Sequence, residues 1–335
     1  MTETLKIIAN NLTKTSNSTA NSAFWSLVQK EVADHVRSWR VIILIGIIFL
    51  TCVGSTYTAI SNFDKLNEAS KNTEDVFFFL RLFTLSDGTL PSFLVFIGFL
   101  GPLMGIGLGF DAVNSEQSNG TLSRILAQPI HRDFIINAKF LGSLIVVAAL
   151  FFTLTFMVMG VGLIALGIPP TAEEFVRIIL YTFLSIVYVA LWLNLSILFS
   201  IRFKQSATSA LAGIAVWLFF TIFYPMIVNM ISKGFEPSQY ASSTAVYFYQ
   251  KMKFGLMQLM PNQLFNEATS TLLTPSVRNL GPLTMEQVDG AIPGVLPLDQ
   301  SILVVWPQIT GLLAMTILCF LFGYLLFMRR EIRSR

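Results

Sequence analysis

The residues best suited to polar chemistry lie in one charged segment, residues 111–139, which interrupts an otherwise apolar sequence. Glu116 precedes Arg132 and Lys139 in this segment. Its carboxylate could pair with either of these cations or with a basic residue of another protein. The chemistry that this segment predicts is therefore electrostatic pairing rather than catalysis.

A short helix is expected within this segment, bounded by residues with clear local preferences. Asn119 and Gly120 favour a turn, and Thr121 is suited to cap the start of a helix. Pro129 ends the helix because proline restricts the residue before it. The residues that share its apolar face are Leu122, Ile125 and Leu126. A helix this short cannot bury an apolar face alone, so it needs a partner surface.

The composition indicates that the segment projects from a membrane. Hydrophobic residues make up 54% of the chain and charged residues 12%, whereas soluble domains contain about 25% charged residues. Apolar runs that reach roughly 20 residues can cross a bilayer. They predict six spans, at about 41–60, 91–110, 140–166, 177–201, 208–231 and 302–328. We predict an all-α integral membrane domain over residues 21–335, preceded by a disordered cytoplasmic tail at 1–20. Cys52 and Cys319 lie inside the runs, which favours free thiols.

The positions of the charges predict the orientation of these spans. With both termini inside, the inner flanks hold 14 of the 22 lysines and arginines but 7 of the 19 acidic residues. Basic residues near span ends favour the cytoplasmic side. The termini and residues 111–139 are therefore expected in the cytoplasm, and 61–90 and 232–301 outside.

An amphipathic helix is predicted over residues 22–40, before the first span. Its apolar stripe consists of Trp25, Val28, Val32, Val36 and Trp39. Tryptophans at headgroup depth are typical of a helix that lies on the membrane surface. A soluble helix packed on a partner is the alternative.

Small residues recur at helical spacing in two spans. They are Gly101, Gly105 and Gly109 in the second span, and Ser209 and Gly213 in the fifth. Such patterns let neighbouring helices approach closely. A moving face that lines a cavity is the alternative for the second span.

The outer end of the fifth span is aromatic and contains a proline. An outer gate could be formed by Phe220, Phe223, Tyr224 and Pro225, although ordinary interfacial aromatics would give the same residues. The outer loop 232–301 is expected to hold short helices at about 247–260 and 263–273. Its methionines could bind Cu(I) as thioethers or form a flexible apolar face.

Several functional classes lack their usual residues. No acidic or basic residue lies in the middle of a predicted span, which argues against a proton-coupled or sodium-coupled carrier. No G-x-x-x-x-G-K-[ST] loop is present, so ATP is not bound in that way. His35 and His131 are the only histidines. We expect no catalytic, cofactor-binding or metal-binding residues in this chain, and no nucleic-acid partner.

The order of these features resembles the permease subunits of ABC-2 type transporters, and within them the branch that contains NosY. The residues that carry the resemblance, besides the arrangement of spans, are Lys30-Glu31, Phe110-Asp111-Ala112, Glu116, Gly120-Thr121-Leu122, Pro129, Arg132, Lys139 and Leu259-Met260-Pro261-Asn262. The resemblance extends over residues 22–330.

The resemblance implies a mechanism in which two permease copies pair and each docks on a separate ATP-binding subunit, which holds ATP and Mg. Residues 121–128 would be the coupling helix, with Leu122, Ile125 and Leu126 in a groove of the ATPase and Arg124 on its rim. Residues 22–40 would be an elbow helix against lipid and ATPase. The first and fifth spans would meet at the dimer seam, with Ser209 and Gly213 in contact.

Two functions are therefore open for a protein expected in the cell membrane, inner or plasma. The first is the permease of an ATP-driven exporter, with no chemistry of its own. The second is a mechanotransmitting or sensory component that acts on an outer partner at 232–301 without moving a substrate.

Overall fold

The computed structural model describes residues 22–61, 77–86, 90–128, 131–167, 169–238, 241–275, 280 and 295–329. The side chains of Phe78, Leu126 and Leu166 are excepted. The predicted tail at 1–20 and Pro129 lie outside these residues. Within them, all regular structure is helical, and six helices are long and apolar enough to cross a membrane. The prediction of an all-α protein with six spans is confirmed.

The six spans, numbered first to sixth, are Trp39–Ser61, Phe93–Gly109, Arg132–Leu166, Ala172–Arg202, Ser206–Lys233 and Leu298–Arg329. An N-terminal helix precedes them at 22–37. The shorter helices are Phe78–Thr84, Asn114–Ser118, Thr121–Leu126, Ser243–Met257 and Pro261–Leu273. We call Thr121–Leu126 the inner helix, Ser243–Met257 the outer helix and Pro261–Leu273 the inserted helix.

The fourth span is the centre of the fold. In its most apolar stretch 78% of residues are buried within the chain, against 17% in the fifth span and 22% in the sixth. Its start is fixed by a capping box, in which Thr171 Oγ1 accepts from the backbone N–H of Glu174 and Thr171 N–H donates to Glu174 Oε2. The fifth and sixth spans therefore present most of their apolar surface to lipid or to another chain.

The glycine pattern of the second span packs directly on the fourth span. A Cβ atom at Gly105 would lie 2.7 Å from the carbonyl oxygen of Val189, and one at Gly109 would lie 2.8 Å from that of Leu193. A Cβ at Gly101 would be 3.1 Å from a methyl group of Val189. These distances leave no room for a side chain at Gly105 or Gly109. The glycines bring two helices of the same chain together, as the close-packing interpretation predicts.

The inserted helix is buried between spans instead of lying outside them. Its Phe265 ring stacks on Tyr188 of the fourth span with 4.3 Å between centroids. At its other end, Arg177 donates to the carbonyl oxygens of Leu272, at 3.1 Å, and of Leu296, at 2.7 Å. Tyr188 follows Arg177 by 11 residues, which corresponds to about 16 Å along a helix. Within the stretch 232–301, this helix therefore packs among the spans.

The fifth span continues through Pro225 with a widened turn. Residues Phe219–Phe223 form a π-helix between Ser206–Leu218 and Tyr224–Lys233. The proline ring cannot donate a hydrogen bond and would collide with the carbonyl of Thr221 in an α-helix. The π-turn removes that collision, so the predicted kink or break takes the form of an extra residue within one continuous helix.

Candidate functional site

The inner helix begins after a left-handed turn at Gly120. This glycine has φ +70° and occupies the N-cap position. Thr121, predicted as the cap, is instead the first helical residue, and its hydroxyl donates to the carbonyl oxygen of Glu116 at 3.1 Å. A residue with a side chain would be strained at position 120, because left-handed backbone favours glycine. The turn thus fixes the direction of the inner helix relative to Glu116.

The apolar face of the inner helix is turned into the chain's own core. Leu122 is 2% exposed, and Ile125 is partly buried against the core. Leu122 is therefore not available to a partner as expected, whereas Ile125 also lines an open cavity; the side chain of Leu126 is outside the described residues. The residues of the inner helix on the solvent side are Thr121 and Arg124, and Ala127 and Gln128 are exposed just after it.

Four charged residues form a network beside the inner helix. Lys139 Nζ lies 2.9 Å from Glu116 Oε1 and 3.0 Å from Glu31 Oε1. Lys30 Nζ closes the network, at 2.8 Å from Glu116 Oε1 and 3.1 Å from Glu31 Oε1. The side chain of Lys139 is only 4% exposed, and a buried charge requires such partners to be tolerated. The network joins three segments, and Lys30 Nζ also lies 3.3 Å from Oδ2 of the exposed Asp34.

Of the two basic residues that the sequence suggested for Glu116, Lys139 pairs with it and Arg132 does not. Arg132 Nη2 instead donates to the carbonyl oxygen of Phe327 at 3.1 Å, and its guanidinium lies 5.7 Å from the centre of the Phe327 ring. Arg132 therefore ties the start of the third span to the inner end of the sixth. The two basic residues that the sequence left as alternatives therefore make different contacts.

The N-terminal helix packs through polar residues as well as apolar ones. Val28 is buried, whereas Trp25 and Val36 are exposed, and Val32 is intermediate. Trp39 is not part of this helix, because the helix ends before Ser38 and Trp39 starts the first span. The predicted stripe is thus divided between inward and outward positions.

The contact between the N-terminal helix and the third span is close. A Cβ at Gly142 would lie 2.7 Å from the Cβ of Glu31. One turn away, His35 Nε2 lies 2.8 Å from Ser143 Oγ. The functional roles of Glu31 and His35 could not be read from periodicity, because both lie off the apolar stripe.

The ionisation of this site reflects burial and its opposite charges. Burial raises and the ammonium of Lys139 lowers the pKa of Glu31, and the net direction is downward. Burial works to lower the pKa of Lys30, but its hydrogen bond to Glu116 and the nearby carboxylates raise it overall. Burial lowers the pKa of His35. At neutral pH Lys30 and Glu31 are therefore charged and His35 is neutral.

A cavity of about 460 Å³ opens beside the network. Its lining includes Lys30, Glu116, Thr121 and Arg124. It also includes an ion pair, in which Arg40 Nη2 lies 2.6 Å from Asp111 Oδ2. In the part of the chain that the structure describes, no group of three or more His, Cys, Asp or Glu residues could hold a metal ion. The charged and polar lining is suited to contacts with a protein surface.

The small residues of the fifth span make their contact within the chain. Ser209 is fully buried, and a Cβ at Gly213 would meet a methyl group of Ile106 in the second span at 3.1 Å. The residues predicted for a seam between two copies therefore face the same chain. The opposite side of this span is the exposed one.

The predicted gate residues lie at and just beyond the π-turn. Phe220 is partly buried and Phe223 is 56% exposed. Tyr224 donates its hydroxyl to the carbonyl oxygen of Leu256 at 3.0 Å, which connects the fifth span to the outer helix. Pro225 follows at the start of the last segment of the span.

A polar contact that sequence patterns do not indicate lies just below these aromatics. Tyr188 donates its hydroxyl to Asn262 Oδ1 at 2.7 Å, and Asn262 Nδ2 donates to Thr221 Oγ1 at 2.7 Å. The inserted helix is thus bonded to both the fourth span and the π-turn.

The chain is similar to known membrane transport proteins. The family model described as ABC-2 family transporter protein matches residues 25–332. A probable ABC transporter permease protein NosY from Pseudomonas aeruginosa is 25% identical over 214 residues, which cover 62% of this chain and 70% of that protein. A protein of the same name from Stutzerimonas stutzeri is 25% identical over 211 residues, covering 61% of this chain and 68% of that protein.

Proposed function

We propose that this chain, which belongs to the ABC-2 transporter family and is a multi-pass permease subunit of it, serves an ATP-driven exporter. The family implies a separate ATP-binding subunit as its partner. In this proposal ATP and Mg are bound by that partner, and the permease carries out no covalent chemistry. ATP hydrolysis would change the conformation of two paired permeases.

The observation that carries this proposal is the charge network of Lys30, Glu31, Glu116 and Lys139. It joins the N-terminal helix, the segment before the inner helix and the base of the third span. Because both carboxylates are shared by both cations, movement of one segment displaces the others. A force applied by the ATPase at the inner helix would therefore reach the third span as a rigid-body movement. In this role the N-terminal helix is the elbow helix and the inner helix is the coupling helix.

The docking surface in this proposal is the exposed side of the coupling helix. Thr121 and Arg124 are exposed there, and the cavity beside them offers a polar recess to a partner. Leu122 and Ile125, on the opposite side of this helix, pack against the permease core and hold the helix in place.

A second permease copy is proposed to cover the exposed side of the fifth span. The large residues on that side are Leu211, Phe219, Ile222, Met226 and Met230, which are 41–69% exposed. Their spacing follows one face of the helix, with the π-turn in the middle. The proposed orientation has both termini in the cytoplasm of a cell with an inner or plasma membrane.

The test of this proposal is transport and ATPase activity of the reconstituted complex. Permease and ATPase are placed in liposomes, and turnover is compared between wild type and Glu116→Gln, with exposed Glu236→Gln as the control. Loss of ATPase stimulation in Glu116→Gln with a folded, inserted complex is expected. Full stimulation in that variant would contradict coupling through the network.

A mechanotransmitting role remains the second candidate because of the outer helix. Ser243–Met257 contains no buried residue, and Phe248 is 62% exposed. An outer protein bound there would be linked to the fifth span through Tyr224. The Phe248→Ser variant distinguishes the two candidate functions. If the chain acts on an outer protein, this variant should lose that function; if the chain is an exporter, the variant should keep its transport rate.

A further inference from the structure

Glu267 is a carboxylate buried in the outer half of the membrane domain. It lies on the inserted helix, between Asn262, which bonds to Tyr188, and Leu272, which bonds to Arg177. Glu267 is 6% exposed. None of the ion pairs among the described residues includes it. An ionisable group at such a position is costly unless a partner compensates its charge.

Three glutamines surround this carboxylate. Gln263 Nε2 donates to Glu267 Oε1 at 2.8 Å, and Gln308 Nε2 and Gln258 Nε2 donate to Oε2 at 3.1 Å and 3.4 Å. They come from the inserted helix, the sixth span and the end of the outer helix. Neutral carboxamides satisfy the hydrogen bonds of the carboxylate but leave its full negative charge in place.

An independent observation concerns the carboxamide oxygen of Gln308. Gln308 is 3% exposed, and its Oε1 is buried without a hydrogen-bond donor among the described residues. Rotating this carboxamide would bring its oxygen against the carboxylate oxygens of Glu267, so rotation does not by itself satisfy the group. A buried acceptor is costly when unpaired. The cluster therefore has a surplus of both negative charge and oxygen acceptors.

We propose that Glu267 and Gln308 form a binding site for one monovalent inorganic cation, Na⁺ or K⁺. Carboxylate and carboxamide oxygens are the ligands that hard cations take in proteins. One carboxylate neutralises a single positive charge, whereas a divalent ion would leave an unbalanced charge away from water. The glutamines can turn their oxygens inward when the ion arrives, since each carboxamide carries an acceptor as well as a donor.

The bound cation would tie the inserted helix to the sixth span. Glu267 belongs to the inserted helix and Gln308 to the sixth span, so one ion would order both helices. This inference does not depend on the direction of transport or on what is transported. It assigns a cation dependence to the outer half of the domain, away from the charge network on the inner side.

The experiment measures thermal unfolding of the full permease with its ATPase in phosphatidylglycerol nanodiscs, whose headgroup has no ammonium. NaCl or KCl replaces N-methylglucamine chloride at constant ionic strength. A saturable rise of Tm by several degrees is expected for wild type, because a ligand of the folded state stabilises it. Glu267→Gln should abolish the rise. Asp299→Asn, which changes an exposed acid at the start of the sixth span, should keep it.

Gln308→Met provides a second variant that retains side-chain length, and its apparent affinity for the cation should fall at least about tenfold. If Glu267→Gln does not fold, the wild-type and Gln308→Met series still decide the question. Equal wild-type Tm values in all three salts would overturn the proposal, as would an unchanged response in Glu267→Gln. A wild-type response to low pH that replaces the cation response would assign the site to a proton instead.

Discussion

The ammonium of Lys139 lies 2.9 Å from Glu116 Oε1, although the two residues belong to different segments and their side chains are 4% and 12% exposed. This pair connects the short helix Asn114–Ser118, which precedes the inner helix, to the first turns of the third span. The sequence proposed it only as one of three alternatives, beside a pair with Arg132 and a pair with a basic residue of another protein. Its contribution to stability and to ATPase stimulation can be measured with a variant of Lys139.

Replacing Lys139 by Met should remove the buried cation that Glu31 and Glu116 share and leave them only the half-exposed Lys30. Breaking a buried pair in this way costs about 3–5 kcal/mol, so a marked drop in Tm and loss of ATPase stimulation are expected. Differential scanning fluorimetry and an ATPase assay measure both. The control is Lys204→Met at an exposed position. Equal Tm values for Lys139→Met and wild type would show that the pair contributes nothing.

Leu122→Ala should destabilise the permease itself, because Leu122 is 2% exposed within the chain. Removal of a buried leucine side chain costs about 2–5 kcal/mol. Leu303→Ala, at a position 73% exposed in the sixth span, should change Tm little. If Leu122→Ala left Tm unchanged and abolished ATPase binding alone, the inward orientation of this face would be wrong.

Thr121→Trp should leave folding intact and weaken ATPase docking by about tenfold, since overpacking a fitted surface costs about 1–3 kcal/mol. Thr121 is exposed on the coupling helix. Docking is measured by surface plasmon resonance with the permease in nanodiscs, and Ser243→Trp on the outer helix is the matched control. Unchanged affinity for Thr121→Trp would remove this side of the helix from the interface.

Gly105→Ala should disrupt the contact between the second and fourth spans, because the new Cβ would lie 2.7 Å from the Val189 carbonyl oxygen. Gly160→Ala is the matched control in another span, where an added Cβ meets no atom within 4 Å. Thermal unfolding in detergent should show a clear loss for the first variant only. Equal stability of the two variants would contradict the close approach of these helices.

Lowering the pH should loosen the N-terminal helix from the third span. Burial holds the pKa of His35 below its ordinary 6.5, against the opposing effect of Glu31, Asp111 and Asp34 and with that of Lys139. The unfolded state therefore binds more protons, so the contribution of His35 is fully present above about pH 6.5 and is lost as pH falls below it. After division by the intrinsic exchange rate at each pH, hydrogen exchange of residues 22–37 should rise as the pH falls below about 6.5. His35→Gln should remove this rise, whereas His131→Gln should retain it.

The orientation can be tested with two single-cysteine variants of a Cys52→Ala, Cys319→Ala background. Ser118→Cys lies in the segment before the coupling helix and Ser243→Cys on the outer helix, and both positions are exposed. An impermeant maleimide added to intact cells should label position 243 and spare position 118. The reverse pattern would invert the topology.

The spans were predictable because their signal is local: a run of apolar residues long enough to cross a bilayer has few other structures open to it. The glycine contact of Gly105 was predictable for the same reason. Helical periodicity likewise identified Leu122 and Ile125 as one face. It could not tell whether that face meets another protein or the same chain, since burial depends on what lies opposite.

The inserted helix could not be recognised from its sequence. Asn262 and Glu267 make it appear suited to solvent, and only the hydrogen bonds to Tyr188 and the three glutamines allow it to lie among spans. The choice between Arg132 and Lys139 was equally hidden. Arg132 and Lys139 both lie on the third span, after Glu116 in the sequence. Their different partners, Phe327 for Arg132 and Glu31 for Lys139, are distant in sequence.

The π-turn at Phe219–Phe223 lies in the middle of the fifth span. It contains one residue more than the same length of α-helix needs, and moving that residue along the span turns the intervening part by about 100° and shifts it by about 1.5 Å. Such a slip would exchange the lipid-facing and inward-facing rings around Phe220 and Phe223 without breaking the helix. The hydrogen bond between Asn262 Nδ2 and Thr221 Oγ1 would have to break in such a slip.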